Sequence, residues 1–155
     1  MGSDSDLPVM EQTLKMLKKF DISYEVTVAS AHRTPARAEV FARTAREKGM
    51  GVIIAGAGHA AHLAGVLAAH TTLPVVGVPI DSSALKGMDS LLATVQMPPG
   101  VPVATMALGK PGAMNAGIFA AQILAVSDPV LAEKLADYKK EMADKVNKRA
   151  ENLAW

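Results

Sequence analysis

Residues 51–63 of the chain read Gly-Val-Ile-Ile-Ala-Gly-Ala-Gly-His-Ala-Ala-His-Leu. The run at 51–55 is short and rich in β-branched and apolar side chains, which predicts a buried strand. Small residues follow, and an Ala-rich segment of helical period begins after them. A strand, a tight turn and a helix in this order form the unit of parallel sheets with crossover helices, so the stretch predicts an α/β fold.

The same alternation of short strands and longer Ala-rich helices continues along the chain. Further strands are predicted at residues 24–29, 74–78 and 102–106, each followed by a Gly, Ser or Pro turn. The chain starts with Met1 at a Gly-Ser-rich turn, which a doubly wound fold places directly after a strand. We therefore expect the central strand, between those at 24–29 and 51–55, to be absent from this sequence, and we expect the natural protein to begin several apolar residues upstream.

Two segments near the C-terminus bear on assembly. Residues 112–124 are almost all small or apolar, so this helix should be buried in the core or against another subunit, and we favour the subunit contact. The tail from 129 to 155 is charged and amphipathic and ends with Trp155, which suits a helix that packs on neighbouring subunits. We therefore predict an oligomer of a single domain that spans residues 1–155.

Composition argues against several classes of protein. Sixteen Lys and Arg residues balance fifteen Asp and Glu residues, the formal net charge is +1 and only 4% of residues are aromatic, so nucleic-acid binding has little support. Every apolar run is interrupted well before the roughly 20 residues that a membrane span needs, and no membrane association is expected. The chain has no cysteine, which rules out disulfides and thiolate chemistry and fits a reducing cytoplasm.

The first polar cluster, Gly2-Ser3-Asp4-Ser5-Asp6, precedes a predicted amphipathic helix. The backbone N–H groups and the positive end of the helix dipole would face a phosphate placed there, and the serine hydroxyls could donate to it. A carboxylate beside a phosphate is repulsive, so Asp6 would either cap the helix or bind ribose hydroxyls. A plain capping turn explains the cluster equally well.

The second cluster, Ser30-Ala31-His32-Arg33-Thr34-Pro35, follows the predicted strand at 24–29. The carboxyl ends of strands are where open α/β sheets bind ligands. Arg33 offers a fixed fork of donors for phosphate, with Ser30 beside it. The ordinary pKa of histidine lies near neutrality, so His32 could accept and return a proton within one turnover. A surface loop with an incidental histidine is the alternative.

The third cluster follows the strand at 51–55. Its small residues Gly56, Ala57 and Gly58 would let the backbone approach a planar ligand closely. His59 and His62 are three residues apart and could share a helix face, which is one element of a zinc site. No nearby Asp, Glu or Cys completes such a site, so we predict no metal.

Six stretches, taken together and in this order, resemble one known family. They read GSDSD, SAHRTP, GAGHAAHL, LPVVGVP, DSLLATVQMP and GVPVATMALGKPGAMNAGIFAAQIL. On these motifs, which cover nearly the whole chain, it is identified as a member of the N5-carboxyaminoimidazole ribonucleotide mutase family, the catalytic subunit of phosphoribosylaminoimidazole carboxylase. The resemblance implies a flavodoxin-like three-layer α/β/α sandwich with a parallel sheet, a homo-octamer, and no metal, nucleotide or organic cofactor.

The resemblance also implies roles for individual residues. His32 would be the acid and base of the reaction, and His62 matches the loop histidine of the family. The substrate contacts would come from two groups of residues: Ser3, Asp6, Ser30 and Arg33 for the ribose 5-phosphate, and the glycine loop of Gly56, Ala57 and Gly58 for the imidazole. The chain departs from the usual family residues at His59, where glycine or a nonpolar residue is commoner, and at Ala64, where proline is usual.

The implied reaction moves a carboxylate within a 5-aminoimidazole ribonucleotide during purine biosynthesis. CO2 would leave the exocyclic nitrogen of N5-carboxyaminoimidazole ribonucleotide, stay in the pocket and be attacked by ring C4. Two alternatives stay open. One is a related carboxylase that adds free CO2 to aminoimidazole ribonucleotide. The other is a flavodoxin-like module that binds flavin without catalysis, although flavin sites usually offer aromatic stacking and only six aromatic residues occur here.

Overall fold

A three-stranded parallel sheet forms the centre of the protein in a computed structural model that describes residues 1–153. The strands are β1 (Ile53–Gly58), β2 (Val75–Ile80) and β3 (Ala104–Thr105), and they lie side by side in that order. Six helices surround them: α1 (Leu7–Lys19), α2 (Pro35–Thr44), α3 (Leu63–Ala69), α4 (Met88–Val95), α5 (Gly109–Ala125) and α6 (Pro129–Glu151). The predicted α/β class and the parallel sheet are both confirmed.

Helices cover both faces of the sheet. On one face, buried residues of α2 and α3, including Ala38 and Leu67, pack against Ile53 and Val75. On the other face, Met10 of α1 and the small residues of α5 pack against the second side of β2. Helix α6 lies outside α5 and joins a third, smaller cluster through Leu131. The result is the predicted three-layer α/β/α sandwich, in which apolar side chains of parallel strands are buried on both faces.

Three predicted strands exist with shifted bounds. The strand predicted at 51–55 is β1, which continues to Gly58 because each residue through that point pairs with a residue of β2, the last pair being Gly58 with Ile80. The strand predicted at 74–78 ends later for the same reason. The strand predicted at 102–106 is reduced to the two residues of β3, which pair with Val76 and Gly77.

The strand predicted at residues 24–29 is wrong. These residues form no ladder, because the position beside them in the sheet is filled only by the first two residues of the chain. Thr27 O accepts a hydrogen bond of 3.0 Å from the Met1 amino group, and Ala29 N donates to Met1 O at 2.9 Å. On its other side, Gly2 N donates to Gly56 O at 3.0 Å. Met1 and Gly2 therefore occupy the end of the gap where a central strand was expected.

A groove of about 420 Å³ continues that gap between residues 23–27 and residues 50–54. Its walls are mainly apolar and include Leu14, Leu17 and Leu67. The Met1 amino group lies at its end, where burial lowers the pKa of the amine, while the nearby Asp6 carboxylate acts in the opposite direction. The sheet is therefore open where the expected central strand would lie.

Most of the buried surface of α5 is explained within one chain, which corrects the expectation that residues 112–124 are buried by another subunit. Thr13 Oγ1 of α1 donates to Ala113 O at 2.6 Å. A β-carbon added at Gly117 would lie 2.8 Å from Met16 Cβ and 2.9 Å from Thr13 O, so the small residue is needed for close contact between α1 and α5. Burial of this helix face is consequently no argument for a subunit contact.

The C-terminal tail forms a long, mostly exposed helix. Leu131 is the buried residue of α6, and Tyr138 makes an edge-on contact with Phe20, at 5.5 Å between ring centroids. Trp155, on which part of the oligomer prediction was based, lies outside the described residues. None of the helices in residues 1–153 combines the length and the hydropathy needed to cross a bilayer.

Candidate active site

Three polar segments meet where Met1 and Gly2 enter the sheet. Because Met1 pairs with Thr27 and Ala29, and Gly2 pairs with Gly56, the segments that begin at residues 3, 30 and 59 start in neighbouring positions at one edge of the sheet. These positions are the carboxyl ends of parallel elements, where α/β sheets bind ligands. The clusters that sequence analysis treated separately are therefore brought to one edge.

The N-terminal turn is a short 3₁₀ helix, Asp4–Asp6, capped by Ser3. The Asp6 carboxylate does not cap α1. It turns back instead and accepts a hydrogen bond of 2.9 Å from Ser3 N. Asp6 is 5% exposed, and its burial raises the pKa of the carboxyl group, against the hydrogen bonds from Ser3 and Gly2. Ser5 Oγ donates to Ser3 Oγ at 2.9 Å, and Ser3 Oγ donates to Asp4 Oδ1 at 3.0 Å, so the two hydroxyls lie together at the surface of the turn.

The loop at 30–34 is a compact turn held by hydrogen bonds among its own residues. Ser30 N donates to Thr34 Oγ1 at 2.9 Å, and Ser30 Oγ accepts from Arg33 N at 3.1 Å. Helix α2 begins directly after it with Pro35 in its first turn, a residue whose fixed φ suits a helix start. His32 and Arg33 are both exposed. The turn thus fixes the backbone and presents an imidazole and a guanidinium to solvent.

The two histidines that sequence analysis assigned to separate loops are in contact. His32 Nε2 lies 2.8 Å from His62 Nδ1, with ring centroids 4.9 Å apart and the rings inclined at 76°. One nitrogen of the pair must carry the shared proton and the other must accept it. The remaining nitrogens, His32 Nδ1 and His62 Nε2, face away from this bond. The pair can therefore relay a proton between its two outer nitrogens.

Gly56, Ala57 and Gly58 are the last residues of β1, so the expected glycine loop is not a loop. A β-carbon at Gly56 would collide with Met10, and Cγ of that side chain would lie only 2.9 Å away. At Gly58 a β-carbon would collide with the Ser82 side chain and lie 3.1 Å from Ile80 O. Both glycines are required for packing within the protein, and the loop that follows them runs from His59 to His62.

Ser82 is a polar neighbour of the site that sequence analysis missed. It follows β2 at the same edge, and its Oγ lies 2.9 Å from Nδ1 of His59. The sequence predicts that this strand ends at Val78, two residues too early, so Ser82 does not stand out there as a residue close to a strand end. Ala64, the second departure from the family pattern, is buried at the start of α3 and leaves the helix intact.

The described residues contain no group of three or more His, Asp or Glu side chains arranged to hold a metal ion. The His32–His62 pair lacks a third ligand of this kind, and at 2.8 Å its two nitrogens are bonded to each other. The site is thus a set of hydrogen-bond donors around two imidazoles, suited to binding an anionic ligand and moving a proton.

Comparison with known proteins places this arrangement in a family. The family model described as AIR carboxylase matches residues 1–145. The chain belongs to the AIR carboxylase family. Three relatives bear the name N5-carboxyaminoimidazole ribonucleotide mutase. The Pyrococcus abyssi protein is 59% identical to this chain, and the match covers 92% of this chain and 80% of that protein. The Thermotoga maritima protein is 54% identical, with 99% of this chain and 88% of that protein covered. The Bacillus subtilis protein is also 54% identical, with 99% of this chain and 94% of that protein covered.

A solved structure of low sequence identity has the same fold. The crystal structure of Treponema denticola PurE superimposes with a TM-score of 0.88, at 25% identity, and the match covers 100% of this chain and 96% of that one. The agreement extends over the whole sandwich, which supports the flavodoxin-like assignment independently of the close relatives.

Proposed function

We propose that this member of the AIR carboxylase family is an N5-carboxyaminoimidazole ribonucleotide mutase of purine biosynthesis. The observation that carries the proposal is the His32–His62 contact of 2.8 Å, because the isomerisation needs a group that gives a proton at one atom and takes one from another. The three relatives described above carry the name of this activity. The flavin-binding alternative is not favoured by these relatives.

The phosphoribosyl end of the substrate would bind at the N-terminal turn and the 30–34 loop. The Arg33 guanidinium and the Ser3 and Ser30 hydroxyls supply donors of the kind that phosphate requires. Asp6 would accept hydrogen bonds from ribose hydroxyls, since its buried carboxylate is unsuited to a phosphate contact. Gly56, Ala57 and Gly58 would form the wall beneath the imidazole as the end of β1, and His62 would border the ring.

His32 would move the proton in both halves of the reaction. When the bond between the carboxyl carbon and the exocyclic nitrogen breaks, CO2 leaves and His32 gives a proton to that nitrogen. The electrons of ring C4 then form a bond to the retained CO2, and His32 takes the proton from C4. The overall reaction is an isomerisation, and His32 ends in the protonation state in which it began. Its contact with His62 engages Nε2, so Nδ1 is the nitrogen left to face the substrate.

The activity is tested by supplying each candidate substrate separately. Purified protein is mixed with N5-carboxyaminoimidazole ribonucleotide in bicarbonate-free buffer, and formation of 4-carboxy-5-aminoimidazole ribonucleotide is followed. Rapid formation is the expected result. A second reaction contains aminoimidazole ribonucleotide and CO2 and tests the alternative of a related carboxylase that uses free CO2. Product formed only in the second reaction would make the protein that carboxylase.

Replacing Arg33 with alanine should weaken binding rather than chemistry. A charge-assisted contact to phosphate contributes about 1.5–3 kcal/mol, so KM should rise about 10- to 150-fold with a smaller change in kcat. Arg43→Ala is the matched control, since Arg43 is exposed on α2 and pairs with Glu39 at 2.8 Å. Equal kcat and KM in the Arg33 variant and the parent would remove Arg33 from the binding site.

A homo-octamer in the cytoplasm is the assembly and location we propose. An apolar groove between α5 and α6, with Met106, Ile118 and Met142 in its walls, offers the surface through which subunits would meet. Light scattering should give a mass about eight times that of the chain. Met142→Lys, which places a charge in this groove, should lower that mass, and a fully active monomer would contradict the assembly.

A further inference from the structure

His59 is the residue of the site to which the proposed chemistry gives no role. It is the first residue after β1, and its φ of +52° lies in the left-handed region, where a β-carbon is strained and glycine is not. Such strain persists only where the surrounding structure holds it, and it is concentrated at functional sites. Because glycine would suit this backbone better, the reason for histidine must lie in its side chain.

One hydrogen bond orients the imidazole of His59. Its Nδ1 lies 2.9 Å from Ser82 Oγ. In the tautomer in which the hydroxyl donates to Nδ1, the ring proton is on Nε2. Nε2 is then a donor, and the hydrogen bonds found among residues 1–153 give it no acceptor. His59 is also exposed. The ring therefore presents a free N–H at the edge of the sheet where ligands bind.

The position of His59 matches one end of the proposed substrate. The phosphate donors Ser3 and Arg33 lie beside the entry of Met1 into the sheet, whereas Ser82 follows β2, the second strand beyond that point. Neighbouring strands are about 4.8 Å apart, so the two sets of donors are separated by roughly 10 Å. The phosphate and the carboxyl group occupy opposite ends of the carboxylated ribonucleotide. The His32–His62 hydrogen bond joins the loop at 30–34 to the loop at 59–62, between the phosphate donors and Ser82.

The charges near His59 permit a carboxylate there. Asp89 at the start of α4 is the acidic side chain whose pKa responds to His59, and that pKa is lowered mainly by the Ser83 hydroxyl and least by His59. No hydrogen bond or ion pair joins the Asp89 carboxylate to the His59 ring within residues 1–153, and the buried Asp89 Oδ1 has no hydrogen-bond partner. Within the described part of the chain, Nε2 of His59 is thus not bound to an anion.

We propose that His59 binds the carboxylate of the carboxylated aminoimidazole ribonucleotide through Nε2–H and makes the site selective for carboxylated over uncarboxylated ligand. This inference rests on the proposed function. Ser82 acts through His59 and is a positioning residue, because its hydroxyl is hydrogen-bonded to Nδ1 and orients the ring.

The test compares two ribonucleotides that differ in the carboxyl group. Dissociation constants for aminoimidazole ribonucleotide and for 4-carboxy-5-aminoimidazole ribonucleotide are measured by calorimetry on the parent protein and on His59→Gly. We expect the variant to bind the carboxylated ligand about tenfold or more weakly and the uncarboxylated ligand unchanged. Ser82→Ala should shift the same ratio in the same direction, by less.

Controls separate this role from a structural one. Glycine removes the left-handed strain, so His59→Gly should melt no lower than the parent. Asp21→Gly relieves the same kind of strain, at φ +56°, far from the site and should leave both dissociation constants unchanged. If His59→Gly left the ratio of the two dissociation constants unchanged, or bound both ligands more tightly, the inference about His59 would be overturned. The proposed function would still stand. If the parent protein binds neither ribonucleotide, the proposed function fails and the inference fails with it.

Discussion

Replacing His32 with asparagine is expected to reduce kcat about 10²- to 10⁴-fold, the usual contribution of general acid and base catalysis. Asparagine is polar and of similar size, but it does not titrate near neutrality, so the proton on the exocyclic nitrogen and the proton on C4 lose their carrier. Binding of the ribonucleotide should change little, because the phosphate donors remain. Steady-state assay of the mutase reaction and calorimetry of product binding give the two quantities separately.

His70→Asn is the matched control for that experiment. His70 ends α3, where its N–H donates to Leu67 O and its ring lies 3.9 Å from Glu39, and we assign it no part in the chemistry. It should retain parental kcat. If His32→Asn kept more than about a tenth of the parental kcat, the loss would be smaller than a general acid or base accounts for, and the proton role would pass to His62.

Adding five apolar residues before Met1, such as Val-Ile-Val-Ile-Val, is expected to raise the melting temperature by about 6–12 °C. The groove runs along residues 23–27 and 50–54, so five residues in extended conformation fit its length and could pair with both walls. Each buried Val or Ile side chain contributes about 1.5–3 kcal/mol, against about 1–2 kcal/mol for ordering each backbone unit. A net gain of about 3 kcal/mol corresponds to the stated shift at this chain length.

A Gly-Ser-Gly-Ser-Gly extension is the control of equal length and should leave the melting temperature unchanged. The dependence of stability on pH is a separate prediction for the parent chain. Burial lowers the pKa of the free Met1 amine, so below about pH 8 the unfolded chain binds more protons and stability rises with pH. Both extensions convert this nitrogen to an amide, so that rise should vanish in both. Equal melting temperatures for the two extensions would show that the groove takes no strand.

The sequence predicted the sandwich well because apolar periodicity and turn residues are local signals. Three of the four predicted strands are present. The exception is instructive, since residues 24–29 have the composition of a strand but, among residues 1–153, pair through backbone hydrogen bonds only with Met1. Strand formation depends on the partner, and no property of those six residues reports how many residues pair with them.

The site was predicted in part for a similar reason. His32 and His62 were each singled out, but their contact of 2.8 Å joins residues 30 positions apart and depends on how the loops fold over the sheet. Gly56 and Gly58 were assigned to a ligand loop, whereas close packing against Met10 and Ser82 requires them. Sequence alone does not distinguish a glycine needed for a ligand from one needed for a neighbouring side chain.

The two backbone hydrogen bonds between Met1 and residues 27–29 link the stability of the protein to its catalytic rate. The loop that carries His32 and Arg33 continues directly from Ala29, so its preorganisation depends on how firmly this segment is held. In many enzymes, substitutions that rigidify the protein slow catalysis, a trade-off between the two properties. In the protein with the apolar extension, thermal stability and kcat should instead rise together. The added backbone that would close the sheet would also fix the loop that carries His32, the proposed proton donor.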